Sequence, residues 1–434
     1  MRLDARLLPP PRLSFSRALP SRVHNQAYRG LQMHGPYDSS RIQIGPNSIL
    51  FVFPKALVEQ ARTLARALQK GHANFPGFEP LFRVPLGNDQ IANLPIETAM
   101  ADPAQTAADY RSQIEAWNSR NTGAMPQIAL VLVPHSEHWE TNRAYYEAKA
   151  MFAKLGVPTQ MVTSELIADP REFQWSVANI ALAMFAKLGG VPWVVEAPTA
   201  EVDLIVGVGR AEIRRAEGSE RIFGYALTFA SNGAYRHLWG FTPAADEETY
   251  GARLVEALTA ALTNDVDRDQ PFKRLVVHLT KKTGWREIGA VRTAIERAGV
   301  RLETAFVRLD DSTLYDIADG GTDTLAPPKG LAVRLSARRA LLQAEGLGPL
   351  GPPDGPLLLE LDERSDVGSE AVDDLVDQAF RLAHANWRAF NARSQPVTLA
   401  YGEILARLVG YLEEVDTWDP SSLRSELRER PWFL

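Results

Sequence analysis

Short apolar runs alternate with amphipathic segments through residues 46–200. The runs SILFVF, EPLFRV, IALVLV and TQMV predict strands. Periodic apolar spacing between them predicts helices over residues 54–69, 105–119, 142–155 and 177–188, the last closed by Gly189 and Gly190. Strands and helices that alternate in this way form a parallel sheet covered on both faces. The pattern therefore predicts a Rossmann-like domain over residues 46–200.

The pattern changes after residue 200. The segments DLIVGVG, IFGYALTFAS and YRHLWGF are three consecutive strand signals joined by short turns, which predicts an antiparallel meander. Helices are expected over residues 247–263, 285–298, 369–386 and 400–412, with strands at RLVVHLT, LETAFVRL, GLAVRL and PLLLELD. This order is typical of a ribonuclease-H-like fold over residues 201–434. The proline-rich residues 1–45 lack sustained periodicity, so we expect an extension or linker there, with GLQMHGPYDSS as loop.

Length and composition narrow the class of protein. A chain of 434 residues suits two domains of roughly 200 residues each. The absence of cysteine excludes disulfides, thiolate metal sites and thiol nucleophiles. No apolar run is long enough to cross a membrane, and prolines interrupt the region where a signal peptide would need an apolar core. We therefore expect a cytoplasmic protein.

Charge is segregated along the chain, although the net charge is only -6. Residues 273–301 hold eight Lys and Arg against two Glu, and residues 354–377 hold nine Asp and Glu against one Arg. A basic groove on an acidic body would suit nucleic acid. Two solvated faces of opposite sign would produce the same pattern, so both interpretations stay open.

The stretch RAYYEAKAMFAKLGVPTQMV holds candidate binding residues. Tyr145 and Lys149 are four apart and therefore share one face of the predicted helix. Gln160 follows on the next predicted strand. Three polar side chains at one helix–strand junction could form an anion site or could be ordinary surface residues, and the stretch by itself does not distinguish the two.

This stretch, the later segment NIALAMFAKLGGVPWVV and the terminus RPWFL together resemble the MID and PIWI domains of Argonaute proteins. The chain looks most like the short prokaryotic members, which keep only those two domains. The similarity runs from about residue 30 to the end. It implies a Rossmann-like MID domain followed by a ribonuclease-H-like PIWI domain.

In that family the matching residues grip the 5′-phosphate of a guide strand. The resemblance implies that Lys149 and Lys187 supply positive charge. Tyr145 would supply a hydroxyl and a ring that stacks on the first base, with Tyr146 as the alternative ring, and Gln160 would supply an amide. A terminal phosphate carries nearly two negative charges and three acceptor oxygens, so it suits cations and neutral donors from several elements.

Two further positions concern the first nucleotide and a cation. Asn179 lies two helical turns before Lys187 and would reach the first nucleotide. In members whose C-terminus tucks into the MID pocket, the terminal carboxylate helps to hold a divalent cation beside the phosphate. The resemblance therefore implies Mg²⁺ held with the help of Gln160 and the carboxylate of Leu434.

The positions that cut nucleic acid in active members are occupied differently here. Cutting needs carboxylate or imidazole ligands for two metal ions. The resemblance places the first of these positions at Gly209 and the next at Thr280, and the late position near His384 and Asn386. Neither Gly209 nor Thr280 offers a carboxylate, so we expect no catalytic residues and a protein that is not itself an enzyme. The alternative is that Asp203 or a nearby acid takes the role.

A member that binds a guide without cutting acts through a partner. The resemblance implies a guide RNA, a single-stranded DNA target from an invader, and a bound effector that carries an APAZ domain fused to a TIR, sirtuin-like or nuclease domain. The output would be antiviral defence by abortive infection. The candidate groove for the duplex combines residues 273–301 with Arg334, Arg338 and Arg339.

Two other functions remain open. One is an active guide-dependent nuclease, which would cleave a target in the presence of manganese. The other is a Rossmann-type small-molecule enzyme, which the absence of a GxxxxGK[ST] phosphate loop disfavours.

Overall fold

The computed structural model describes residues 4–136, 142–196, 203–214, 220–244, 247–265, 272–280, 284–347 and 355–434. Within these ranges the strands form one sheet of nine strands, one of four and one of three. None of the helices in these ranges is long and apolar enough to span a bilayer.

The first 45 residues contribute structure to two sheets. They contain β1 (Asp4–Leu7), β2 (Leu13–Ser14), β3 (Val23–His24) and α1 (Ala27–His34). Strand β2 is the middle strand of the small sheet, between β3 and β8 (Val194–Val195). The prediction of loop for GLQMHGPYDSS is wrong in part, because α1 covers its first half. The boundaries at residues 45 and 200 stay predictions.

The four-stranded sheet is parallel, in the order β5-β4-β6-β7. Its strands are β4 (Ile49–Pro54), β5 (Ile91–Ile96), β6 (Ile128–Val133) and β7 (Thr159–Thr163). The associated helices are α2 (Val58–Lys70), α3 (Phe78–Phe82), α4 (Pro103–Arg120), α5 (Arg143–Lys154), α6 (Ser164–Ala168) and α7 (Pro170–Lys187). Every residue of β4 and β6 is buried, which explains their unbroken apolar runs. The Rossmann-like prediction is confirmed.

The nine-stranded sheet has the order β1-β14-β15-β16-β13-β12-β9-β10-β11. Its remaining strands are β9 (Asp203–Arg214), β10 (Glu220–Ala230), β11 (Tyr235–Ala244), β12 (Arg274–Leu279), β13 (Glu303–Asp310), β14 (Leu331–Ser336), β15 (Arg339–Leu342) and β16 (Leu357–Leu361). The helices are α8 (Glu247–Asp265), α9 (Trp285–Ala298), α10 (Val372–Ala383), α11 (Val397–Leu412) and α12 (Ser425–Arg428). The antiparallel meander β9-β10-β11 followed by parallel β12 confirms the ribonuclease-H-like order.

One predicted strand is wrong and two strands were missed, for physical reasons. EPLFRV forms α3 instead of a strand: Pro80 stands in the first helical turn, where no amide donor is needed, and Leu81 and Phe82 are buried. The strand that actually follows is β5, whose sequence IANLPI is polar on one face and contains a proline suited to a sheet edge. Strand β15 lies between two predicted strands and has too short an apolar run to be recognised.

Candidate functional site

A cavity of about 530 Å³ lies where α5, β7, α7, α11 and the C-terminal segment, residues 424–434, meet. Its volume falls within the range of about 300–1,000 Å³ that is typical of ligand pockets. Helix α7 contributes one face, since Asn179, Ala183 and Lys187 follow at intervals of four residues. The site is thus built between the four-stranded sheet and the last helices of the chain.

Four of the five residues predicted to bind a phosphate line this cavity, namely Tyr145, Gln160, Asn179 and Lys187. The fifth, Lys149, is buried beside it, with its Nζ atom 3.4 Å from Thr159 Oγ1 on β7. The Nζ atom of Lys187 donates to the carbonyl of Thr159 and to Gln160 Oε1, both at 2.9 Å. The structure therefore brings the predicted residues together, and their binding role stays a prediction.

Local sequence explains how α5 and β7 present these side chains. Asn142 caps α5 by accepting a hydrogen bond from the Tyr145 amide at 3.1 Å. The helix ends before Gly156, whose φ of +77° lies in the left-handed region that glycine adopts without strain. Strand β7 begins three residues later. The residues predicted to act together are therefore positioned by one continuous helix–turn–strand unit.

Two buried lysine amines beside Arg388 determine the electrostatics of the site. Burial, together with the nearby Arg388, lowers the pKa of Lys149 to about 7. Burial, the charge of Lys149 and the charge of Arg388 hold the pKa of Lys187 well below its usual range. Neither amine forms an ion pair with a carboxylate in the part of the chain that the structure describes. Within the described residues, the two amines therefore lack a negatively charged partner.

Three arginines on the cavity wall were missed from the sequence. Arg388 and Arg393 come from the segment after α10, and Arg407 comes from α11. One acid, Glu403, shares that wall; burial and the charge of Asp311 raise its pKa. No local motif links these residues with α5, so only the packing of α11 against α5 reveals them.

The C-terminal segment is buried, as its apolar sequence predicts. Trp432 is 1% exposed and Phe433 3% exposed, and both Phe433 and Leu434 line or border the cavity. Gln160 and Leu434 thus line the same cavity. Amide and carboxylate oxygens suit Mg²⁺, which also retains waters and binds phosphate oxygens. The Oε1 atom of Gln160 also accepts a hydrogen bond from Lys187 Nζ, and the binding of Mg²⁺ here stays a prediction.

A tyrosine fills the space beside Gly209. Tyr225 lies directly opposite Gly209 in the antiparallel pair β9–β10. A Cβ atom at Gly209 would lie 2.2 Å from Tyr225 Oη, and one at Gly402 on α11 would lie 2.8 Å from the same hydroxyl. A side chain at position 209 would therefore collide with the ring. Burial, together with Glu403 and Tyr250, raises the pKa of the Tyr225 hydroxyl.

The other positions matched to metal ligands lie in different surroundings. Thr280 is exposed and follows β12, where the register with β9 would place it alongside Gly209. His384 instead bonds the carbonyl of Phe380 at 2.9 Å, and burial lowers its pKa to about 3. Asn386 donates to the carbonyl of Asn391. The match of the late position to His384 and Asn386 stays a prediction.

Asp203, the alternative metal ligand, is fully engaged elsewhere. Its two carboxylate oxygens accept from Arg274 at 3.1 and 2.6 Å, and one of them accepts from Gln378 at 2.7 Å. The aspartate is 5% exposed. A carboxylate bound in this way holds β9, β12 and α10 together and is not available to a metal ion.

Arginines of the candidate groove pair with acidic side chains of residues 354–377. Arg274 also contacts Asp374 at 2.7 Å, and Arg334 contacts Asp373 at 2.9 Å. Arg292 contacts the side chain of Asp366, and Arg338 donates a hydrogen bond to the carbonyl of Asp362. These arginines are therefore partly engaged by acidic residues, and the basic groove stays a prediction. Lys281, Lys282 and Asp354 lie outside the described residues.

Known proteins are similar to most of this chain. Residues 130–282 match the family model of the Piwi domain. An Argonaute protein from Cereibacter sphaeroides is 28% identical over 440 residues, which cover 94% of this chain and 56% of that protein. A Piwi protein from Archaeoglobus fulgidus is 24% identical over 349 residues, which cover 75% of this chain and 78% of that protein.

Solved structures share the fold. Clostridium butyricum Argonaute, solved with a guide DNA and a 19-mer target DNA, superposes with a TM-score of 0.73 at 17% identity, covering 95% of this chain and 53% of that one. Drosophila Piwi superposes with a TM-score of 0.67 at 17% identity, covering 99% and 56%. The chain thus spans little more than half the length of the Cereibacter protein and of both structures. Residues 130–282 thus match the Piwi-domain model, and the chain is similar to an Argonaute protein over 94% of its length.

Proposed function

We propose that this chain binds the 5′-phosphorylated end of a guide strand in the cavity between α5, α7 and α11. The observation that carries the proposal is the pair of buried amines, Lys149 and Lys187, which lack a carboxylate partner among the described residues. Burying a cation without a counter-charge is costly, and a terminal phosphate supplies the missing negative charge. The amide of Gln160 and the hydroxyl of Tyr145 add neutral hydrogen-bonding groups.

The rest of the wall suits a strand better than a free phosphate ion. Asn179 lies one turn from Ala183 and two from Lys187, so it would reach the first nucleotide from the same helix face. The arginines opposite α7 extend the positive lining, which favours further phosphates of the same strand. Sequence recognition of the target would then come from base pairing with the guide.

Magnesium is part of the proposal. The carboxylate of Leu434 and the amide oxygen of Gln160 would hold the ion beside the phosphate, and the ion would supply positive charge between two anionic groups. The protein's own contribution is to keep both oxygens on one cavity wall, since Gln160 is fixed on β7 and Leu434 follows two buried aromatic residues.

The test is the affinity for a labelled oligonucleotide with and without a 5′-phosphate, in RNA and DNA form. We expect the 5′-phosphorylated strand to bind more tightly, and Lys149→Met to remove the preference. Lys154→Met is the matched control, because Lys154 lies on the same helix and is exposed. Equal affinity for phosphate and hydroxyl ends would overturn the proposal.

We further propose that the protein does not cut its target. The support is that Gly209 and Thr280 stand at the positions that the resemblance matches to metal-binding carboxylates, and that Tyr225 fills the space at position 209. Incubation of the loaded protein with a labelled complementary target and manganese should leave the target intact. Cleavage that depends on the guide sequence would instead favour the active nuclease.

The biological role is proposed from the resemblance. It consists of RNA-guided recognition of invading single-stranded DNA in the cytoplasm, with activation of an APAZ-containing TIR, sirtuin-like or nuclease effector in prokaryotic defence. The guide in the Clostridium structure is DNA, so a DNA guide is the alternative outcome. That the protein is of the short, two-domain kind stays a prediction. Co-expression with neighbouring genes, followed by sequencing of the bound nucleic acid and an NAD⁺ or nuclease assay, tests this role.

A further inference from the structure

An aromatic face covers the buried amine of Lys149. The Nζ atom of Lys149 lies 5.6 Å from the centroid of the Trp432 ring. Lys149 is 2% exposed and Trp432 is 1% exposed, so water is excluded from the contact. The hydrogen bond of the amine to Thr159 Oγ1, at 3.4 Å, is long. The indole is therefore a principal neighbour of the amine.

The charges around this amine do not stabilise it. Lys187 approaches from α7 and Arg388 from the segment after α10, and both are cations. Strand β7 offers the neutral Thr159, and α5 offers Tyr145. The other charged groups on the cavity wall are Arg393, Glu403, Arg407 and the carboxylate of Leu434. An ammonium above an aromatic face is attracted by the negative potential of the ring, and most strongly when desolvated.

The orientation of Trp432 is fixed by its surroundings. Its ring packs against those of Trp418 and Phe433, each with centroids 6.3 Å away. Tyr235 Oη donates to the carbonyl of Arg428 at 2.8 Å and so ties the C-terminal segment to β11. The indole is therefore held in place before any ligand arrives.

We propose that Trp432 is a positioning residue of the anion site, which keeps the Lys149 ammonium charged and in place beneath the cavity. The proposal rests on the proposed function, because it assigns Lys149 to phosphate binding. It adds that the C-terminal segment acts on the ligand through a side chain that does not line the cavity.

The experiment compares Trp432→Leu and Trp432→Phe with the control Phe306→Leu. Phe306 is a fully buried aromatic residue on β13, does not line the cavity and packs in a different apolar cluster from Trp432. Proteins labelled with ¹³C at lysine Cε are titrated by NMR without ligand, and the Lys149 signal is identified by its loss in Lys149→Arg. We expect Trp432→Leu to lower the titration midpoint by about one pH unit and Trp432→Phe to lower it less. Phe306→Leu should leave it unchanged.

The same variants are then assayed for the 5′-phosphorylated oligonucleotide across the pH range. Trp432→Leu should weaken binding about tenfold near pH 7 and move the pH profile to lower pH. A midpoint that moves no more than in Phe306→Leu would overturn the inference. If Trp432→Leu does not fold, the difference between Trp432→Phe and Phe306→Leu decides. If the wild-type protein binds strands with and without a 5′-phosphate equally, the proposed function fails. The ligand-free titration then still decides the role of Trp432.

Discussion

The Nζ atom of Lys187 lies 2.9 Å from the Oε1 atom of Gln160, which joins the last residue of α7 to the second residue of β7. The same amine bonds the carbonyl of Thr159 on that strand. Because both partners are neutral, they orient the amine of Lys187 without a counter-charge, while burial, Lys149 and Arg388 lower its pKa. This contact places the amine at the cavity wall, where a bound anion would favour its charged form.

Lys187→Met should therefore weaken binding of a 5′-phosphorylated strand by about 10- to 150-fold, as expected for one charged hydrogen bond of about 1.5–3 kcal/mol. Fluorescence anisotropy with 5′-phosphate and 5′-hydroxyl oligonucleotides measures the effect. The loss should be confined to the phosphorylated strand. An equal loss for both strands would show that Lys187 serves the fold and not the phosphate.

Affinity should also depend on pH, because the pKa of Lys149 is lowered to about 7 by burial and by the charge of Arg388. A bound phosphate favours the charged amine, so binding takes up a proton wherever the free amine is neutral. We expect affinity for the 5′-phosphorylated strand to fall by up to about tenfold per pH unit above pH 7. Lys149→Met should bind weakly and show a smaller slope; an unchanged slope would contradict this assignment.

The stability of the ligand-free protein should follow the opposite trend. A lysine pKa of 10.5 in the unfolded chain and about 7 in the folded one means that the unfolded state binds more protons between these values. Stability therefore rises as pH increases from about 7 to 10.5. Urea unfolding of wild type and Lys149→Met at several pH values isolates the contribution, and a stability difference that does not change with pH would refute it.

Gly209→Ala should destabilise the protein, since its Cβ would lie 2.2 Å from Tyr225 Oη on the neighbouring strand. Overpacking of this kind costs about 1–3 kcal/mol. Gly289→Ala is the matched control: nothing lies within 4 Å of its Cβ, and alanine favours the helix α9. Thermal unfolding should show a loss for the first and none for the second. Adding Tyr225→Leu to Gly209→Ala should recover part of the loss, and no recovery would mean that the tyrosine is not the obstacle.

Asp203→Asn should destabilise the protein by about 3 kcal/mol without changing phosphate binding. The substitution removes one partner of a buried ion pair, while Arg274 retains Asp374. Chemical unfolding gives the stability, and the oligonucleotide assay gives the binding. A guide-binding defect in a correctly folded Asp203→Asn protein would point to a role beyond the fold.

The sequence alone was sufficient to predict the part of the site that one continuous segment supplies. Tyr145, Lys149 and Gln160 belong to one helix–turn–strand unit, so spacing alone places them near each other. The arginines after α10 and on α11 reach the cavity only through the packing of distant segments, which no local pattern encodes. Asp203 and Arg274 are 71 residues apart and look like unrelated surface charges until β9 and β12 pair.

Strand β1 gives the chain a late folding step. Its partner β14 is made about 330 residues later, and Arg6 bonds the carbonyl of Asp373, 367 residues away. A ribosome that adds about 5–20 residues per second leaves β1 without its partner for tens of seconds. During that interval α1 and the parallel sheet can already form from local contacts. The nine-stranded sheet therefore gains this edge strand only after residues 331–336 have emerged, so residues 4–7 are among the last to reach their final place.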